Sequence, residues 1–183
     1  EWMLNDRSVD FLGDNLDCAI RVGVEVDPAT VSVLLAEVPR SVVASPALLA
    51  RFPAVNTPDD LQHLPWIAIS SFYQRHVELF HEATPTPARV TITPRLSTDS
   101  LYVARNTALT GLGVAVGSSW TVQDDIREGR LVHLLPEWQP AALPVHLVYP
   151  WSRYYPARLR RFLELMRQIM PEVTGMRKPL QQP

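Results

Sequence analysis

The chain has 183 residues, 46% of them hydrophobic and 20% charged, which suits one packed domain or two small lobes and excludes an overall disordered chain. A net charge of −2 gives no general attraction to nucleic acid or an anionic membrane, and no apolar run approaches the ~18 residues of a membrane span. The single cysteine, Cys18, excludes an intrachain disulfide framework and is compatible with a reducing cytosol.

The first residues, Glu1-Trp2-Met3-Leu4, begin mid-pattern with no initiator Met and no signal peptide, so the sequence is expected to be a piece of a longer protein. Residues 1–12 contain an alternating stretch, and Gly13-Asp14-Asn15 is a turn. Leu16–Val22 reads as a buried strand stopped by Gly23, and Val31–Val38 has the same character. Arg40–Ala44 is a third strand after Pro39. Ser45-Pro46 starts a short helix, with Ser as N-cap and Pro at the first helical position. Thr57-Pro58-Asp59-Asp60-Leu61 is a capped single turn, and Trp66–Ile69 is a strand. The run from Phe72 to Ala83 is ambiguous between helix and strand. Arg89–Leu96, where Val90 and Ile92 alternate with Thr91 and Thr93, reads as one half-exposed strand.

The stretch Arg95–Gly117 then gives a strand end, a polar turn Ser97-Thr98-Asp99-Ser100, an amphipathic helix broken at Gly111, and a buried strand Val114-Ala115-Val116. Ser118-Ser119 caps a polar helix running through Glu128, and Gly129 ends it. Leu131–Leu135 and Val145–Tyr149 are strands. Pro156 opens an amphipathic helix that carries Leu159, Phe162, Leu163, Met166, Ile169 and Met170, and Pro171 ends it. The polar, Pro-rich tail from Thr174 is expected to fray. Proline is 17 of 183 residues, about 9% against a usual ~5%, and its excess lies between elements. Strands alternating with helices indicate an α/β fold with a largely parallel sheet.

A strand–turn–helix such as Arg95–Leu109 aims free backbone N–H groups at whatever lies beyond the strand, which in open α/β sheets is where ligands bind. Ordinary capping with nothing bound is the competing explanation. Nucleophile-elbow, phosphate-loop and zinc signatures are absent, and Gly111-Leu112-Gly113 follows a helix and lacks the third glycine of a dinucleotide fingerprint. His76 and His81 are five apart, a poor spacing for metal ligands on one helix face. Cys18, inside an apolar strand, reads as a buried, inert thiol. Arg21 stands at a strand end just before Gly23. It either pairs with Asp17 or Asp10, or holds a carboxylate through two parallel hydrogen bonds.

Taken together, several segments resemble the effector-binding domain of LysR-type transcriptional regulators. They are Asp6-Arg7-x-Val9-Asp10-Phe11-Leu12, Leu16-Asp17-x-Ala19-Ile20-Arg21-Val22-Gly23, Val42-Val43-Ala44-Ser45-Pro46-Ala47-Leu48-Leu49 and Thr57-Pro58-x-Asp60-Leu61. They continue with Gly111-Leu112-Gly113-Val114-Ala115-Val116, Gly129-Arg130-Leu131-Val132-x-Leu134-Leu135-Pro136-x-Trp138, and Val145-x-Leu147-Val148-Tyr149-Pro150 before Leu159-Arg160-x-Phe162-Leu163. Their order and spacing cover nearly all of residues 6–170.

The resemblance implies a two-lobe, type 2 periplasmic-binding-protein-like α/β fold, each lobe a mostly parallel sheet flanked by helices. Residues 1–39 and 145–172 would form lobe I, 45–140 lobe II and 173–183 a tail. The crossings would be 40–44 and 141–144, with hinge residues Ser41, Val43, Ala44, Leu143 and Pro144. The family binds small, often carboxylated, effectors in the cleft between lobes. Here that implies contacts from Arg21, Gly23, Ser97, Thr98, Ser100, Val116 and Gly117. It further implies a cytoplasmic homodimer or homotetramer with no catalysis, no cofactor, no metal and no membrane association. DNA would be bound through an N-terminal helix-turn-helix that has no counterpart in this sequence, and the first strand and helix of lobe I would also lie upstream. The alternative is a transporter's solute-binding protein of the same fold.

Overall fold

A computed structural model describes residues 10–11, 13–23, 29–70 and 75–179. In chain order the elements are β1 (Ala19–Val22), β2 (Thr30–Val38), β3 (Arg40–Ala44), α1 (Pro46–Leu49), a 3-10 turn (Pro58–His63), β4 (Trp66–Ile69), β5 (His76–His81), β6 (Thr84–Thr91), β7 (Pro94–Thr98) and α2 (Leu101–Leu109). They continue with β8 (Val114–Ser118), α3 (Ser119–Arg127), β9 (Val132–Leu134), β10 (Gln139–Pro140), β11 (Leu143–Pro150), α4 (Ala157–Ile169) and a 3-10 turn (Met170–Glu172). The chain forms two compact units. The first comprises residues up to Glu37, Leu143–Val173 and Arg177 onward; the second comprises Val38–Ala142 with Thr174–Met176.

The first unit holds a three-stranded sheet in the order β1-β11-β2. β1 runs antiparallel to β11, with Arg21 opposite His146 and Val22 opposite Val145. Along β11, Val145 and Leu147 are fully buried while His146 between them is only half-buried, the alternation a one-sided strand requires. α4 follows Pro156, whose fixed φ suits a helix start. It buries Leu159 and Met166 and turns its arginines to solvent. Asp17 pairs with Arg158 at 2.9 Å across the surface.

The second unit is built on a five-stranded sheet in the order β7-β4-β8-β3-β9. β4 runs parallel to β7 and to β8, while β3 runs antiparallel to β8 and to β9. The central strand β4, Trp-Ile-Ala-Ile, is buried at all four positions, as a strand covered on both faces must be. Trp66 satisfies its only polar atom by donating from Nε1 to Leu61 O at 2.8 Å. β5 and β6 form an antiparallel hairpin extended by β10. One apolar cluster joins β3, β4 and β8 to α1, α2 and the inner side of the hairpin, with Leu48, Leu61, Val77, Leu79 and Val114 fully buried.

Several expectations need correction. Parallel pairing is seen for β7-β4-β8; β3, β9 and the β1–β11 pair are antiparallel. The single strand expected over Arg89–Leu96 is two strands in different sheets, because Pro94 restarts the chain as β7. Ser41, Val43 and Ala44, expected at a crossing, lie in the strand β3, with Val43 and Ala44 fully buried between β8 and β9. The chain changes unit at Glu37/Val38, just before β3, and at Ala142/Leu143, within the expected 141–144. The tail does not fray over its first residues. Arg177 makes a two-bond antiparallel bridge with Glu37 (3.0 and 2.9 Å) and an ion pair with it at 3.1 Å. Gly175 O accepts from Ser119 Oγ at 2.6 Å. The alternating stretch before Asp10, the Phe72–Gln74 part of the ambiguous run and the last four residues lie outside the described residues.

Candidate functional site

The parallel strands β7, β4 and β8 end at Thr98, Ile69 and Ser118, and the helices α2 and α3 start directly after the first and last of them. This rim collects polar groups because each helix start needs a cap. Ser100 Oγ accepts from Val103 N at 3.4 Å as the N-cap of α2. Thr98 Oγ1 accepts from Ser100 N at 3.1 Å, and Thr98 O accepts from Ser70 N at 2.9 Å. A hydroxyl that accepts in this way still has its own O–H to donate. Ser97 is exposed on β7, opposite Ala68, and by strand alternation it leaves the opposite face to Thr98. The structure thus joins Thr98, Ser100 and Ser70 in one network and sets Ser97 apart from it.

Two aromatic side chains stand at the first turns of the two helices. Tyr102 is 60% exposed and Trp120 42% exposed, and their rings meet edge-to-face at 5.9 Å. Exposed rings in an ordered pair offer a π surface to a ligand. The sequence carried no periodic signal for this pair, since both sit on the outward side of their helices.

The helices are locked together beneath that pair by Asp125, which is fully buried on α3. Arg105 of α2 donates to it at 2.5 and 2.8 Å, and Arg130 donates from Nε at 2.8 Å with its Nη2 in ion-pair contact at 2.7 Å. Arg130 is also paired with Glu128. Burial alone would raise the Asp125 carboxyl, but the hydrogen bonds and charges of Arg105 and Arg130 outweigh it and hold the group below the ordinary aspartate value. Sequence reading missed this triad. Its one available sign was an acid beside Val122 and Ile126 on the apolar stripe of α3.

Val116 and Gly117 are buried in β8 opposite Val42 and Ser41. A Cβ on Gly117 would fall 2.4 Å from Val122 Cγ1, so this glycine is required for α3 to pack on its own strand. In the first unit, Gly23 is buried at φ 112 and its N–H donates to Pro144 O at 2.9 Å, which closes the end of β1 against the start of β11. Only glycine adopts that backbone readily. Leu143 is buried and Pro144 half-buried. Arg21 projects from the same sheet face as His146, and Asp17 is engaged by Arg158. Cys18 is half-buried; burial first, and the charge of Asp17 second, push its thiol above the ordinary cysteine value. Among the described residues there is no group of three His, Cys, Asp or Glu side chains placed to hold a metal, and no helix long and apolar enough to cross a membrane.

Comparison with known proteins gives a consistent picture. A family model described as the LysR substrate binding domain matches residues 2–171. The HTH-type transcriptional regulator PtxR of Pseudomonas aeruginosa is 32% identical over 168 residues, covering 92% of this chain and 54% of PtxR. An HTH-type transcriptional repressor from a second strain of that species is 30% identical over 169 residues, covering 92% of this chain and 53% of the repressor. Among solved structures, the CrgA regulatory domain of Neisseria meningitidis, a LysR-type regulator, superposes with a TM-score of 0.65 at 26% identity. It covers 88% of this chain and 80% of that domain. Full-length AphB, a Vibrio cholerae virulence activator, gives 0.73 at 20% identity, covering 91% and 56%. The chain spans about half the length of the curated relatives it matches.

Proposed function

The chain belongs to the LysR substrate-binding domain family, with its type 2 periplasmic-binding-like fold, and from that premise we propose that it is the ligand-sensing part of a longer bacterial transcriptional regulator. In this reading it binds a small carboxylate or aromatic effector without transforming it. It acts in the cytoplasm as a homodimer or homotetramer, and it passes the signal to a DNA-binding region outside this sequence. The relatives are regulators by name, which favours this reading over a transporter's solute-binding protein.

The single observation that carries the proposal is the polar, aromatic-edged rim at the strand ends of the second unit. There Thr98, Ser70 and Ser100 form one hydrogen-bonded group beside Tyr102 and Trp120. Within the first unit, Arg21 offers a cation to an acidic effector, and Gly23 and Pro144 shape the strand end beside it; within the second, Ser97 offers a hydroxyl. Val116 and Gly117 would act through backbone and packing. An effector can shift the equilibrium of such a sensor only by its differential affinity for the two states, ordinarily about 1–3 kcal/mol.

The test is calorimetric titration of a small-carboxylate panel into the wild type and into Arg21→Ala and Ser97→Ala. Weaker binding in both variants is expected. Unchanged affinity in both removes this site, and turnover of a bound compound removes the sensor reading.

A further inference from the structure

We propose that His146 reads the effector's anionic group together with Arg21, so that the end of the first unit's sheet is a two-residue carboxylate site. This rests on the effector-binding reading above and adds to it a residue that nothing in the sequence singled out.

The register of β1 on β11 sets Arg21 directly opposite His146. Cross-strand partners leave the same face of a sheet within reach of one another. On β11 the flanking Val145 and Leu147 are fully buried on the other face, so His146 belongs to the side that β1 shares with Arg21. His146 Nδ1 is closed off from solvent and has no hydrogen-bond partner among the described residues. Buried polar atoms are nearly always satisfied, so this nitrogen calls for a partner, which a bound carboxylate would supply. Ser32 Oγ, on the strand at the other side of β11, is a second such orphan. The pair also stands near the end of the sheet: β1 stops one residue after Arg21, and Gly23 turns the chain there against Pro144.

The chemistry fits a carboxylate. A guanidinium offers two parallel N–H bonds to its two oxygens. An imidazole carrying its proton on Nδ1 adds a third donor beside them. Arg21 also interacts within the protein, so the incoming carboxylate joins or exchanges with that contact. The third donor fixes the orientation that Arg21 alone leaves open.

The experiment titrates benzoate and succinate, with benzamide and succinamide as uncharged counterparts, into the wild type, His146→Leu, His146→Gln, Arg21→Ala and Ser97→Ala. Thermal melts establish that each variant is folded. The wild type is expected to bind at least one carboxylate more tightly than its amide. His146→Leu is expected to weaken that binding about 10-fold, the loss of one charge-assisted hydrogen bond. His146→Gln, which restores an N–H donor, stays within about 3-fold of wild type. Wild-type binding in His146→Leu with loss in Arg21→Ala and Ser97→Ala overturns the role of His146 and leaves the sensor reading standing. A wild type that binds neither carboxylate better than its amide overturns the carboxylate site. Loss in His146→Leu that His146→Gln does not rescue also overturns the hydrogen-bond role.

Discussion

Asp125→Ala is the sharpest test of how the second unit holds its helices. The carboxylate is fully buried and takes four guanidinium contacts of 2.5–2.8 Å from Arg105 and Arg130, whose side chains are 27% and 46% exposed. Its backbone oxygen also accepts from Arg130 N and Leu131 N, so the side chain steers a turn as well as a helix pair. Removing one member of a buried ion pair costs about 3–5 kcal/mol, because it strands the other charge. Both guanidiniums reach water here, so the lower end applies, about 3 kcal/mol. At about 2–4 °C per kcal/mol for a chain of this size, the melting temperature should fall about 6–12 °C. Urea denaturation at pH 7 measures the free-energy gap directly. The gap has a defined pH dependence. The folded-state pKa lies below the ordinary 3.8, so the stabilisation is complete above that value and is lost as pH falls through the lower folded one. Wild type and Asp125→Ala should therefore differ by a constant amount from pH 7 to about 5 and converge in stronger acid. A gap under about 1 kcal/mol at pH 7, or one that widens in acid, would refute the reasoning.

Gly117→Ala should cost about 1–3 kcal/mol by overpacking against Val122, and Val122→Ala should recover part of it in the double variant; denaturation curves decide. Gly175→Ala introduces two faults, a side chain at φ +80 and a Cβ 2.6 Å from Trp120 N and Cβ. It should release the tail, read as faster hydrogen exchange at the Glu37 and Arg177 amides that now bond each other. Unchanged exchange there would mean the tail is held by something other than the Gly175 turn. Cys18, with its thiol pushed above the ordinary cysteine value by burial and by Asp17, should alkylate more slowly than free cysteine at pH 7.5, and Asp17→Asn should speed it modestly. A rate at or above that of free cysteine contradicts this.

Much of the fold was legible because its signals are local. Trp66–Ile69 is a strand as read, since four consecutive apolar residues between Pro65 and Ser70 leave little alternative. Ser45-Pro46 starts α1 with the expected serine cap, and Pro156 and Pro171 bracket α4. What escaped depends on distant partners. The strand β6 contains Pro85 and Pro87, which argue against a strand, yet among the described residues it pairs with β5 alone, and a sheet edge tolerates proline. Arg40–Ala44 was legible as a strand, but its place between β8 and β9 depends on segments far along the chain. The tail looked polar and loose, and its anchors at Ser119 and Glu37 are 56 and 140 residues away.

The candidate site divides the same way. The Ser97–Ser100 turn was visible as helix-capping chemistry, and the structure adds the Thr98–Ser100 bond that organises it. His146 was one of five histidines without a pattern; only the strand register, which no single segment encodes, brings it opposite Arg21. Tyr102 and Trp120 are 18 residues apart and become a pair because Asp125 draws α2 and α3 together.

Hydrogen exchange with and without a saturating carboxylate ligand shows where the ligand sits and whether it is left intact. Exchange should slow at residues 19–23, at 97–103 and around Trp120, with the ligand recovered chemically unchanged. Slowed exchange confined to other segments, or conversion of the ligand, would contradict it.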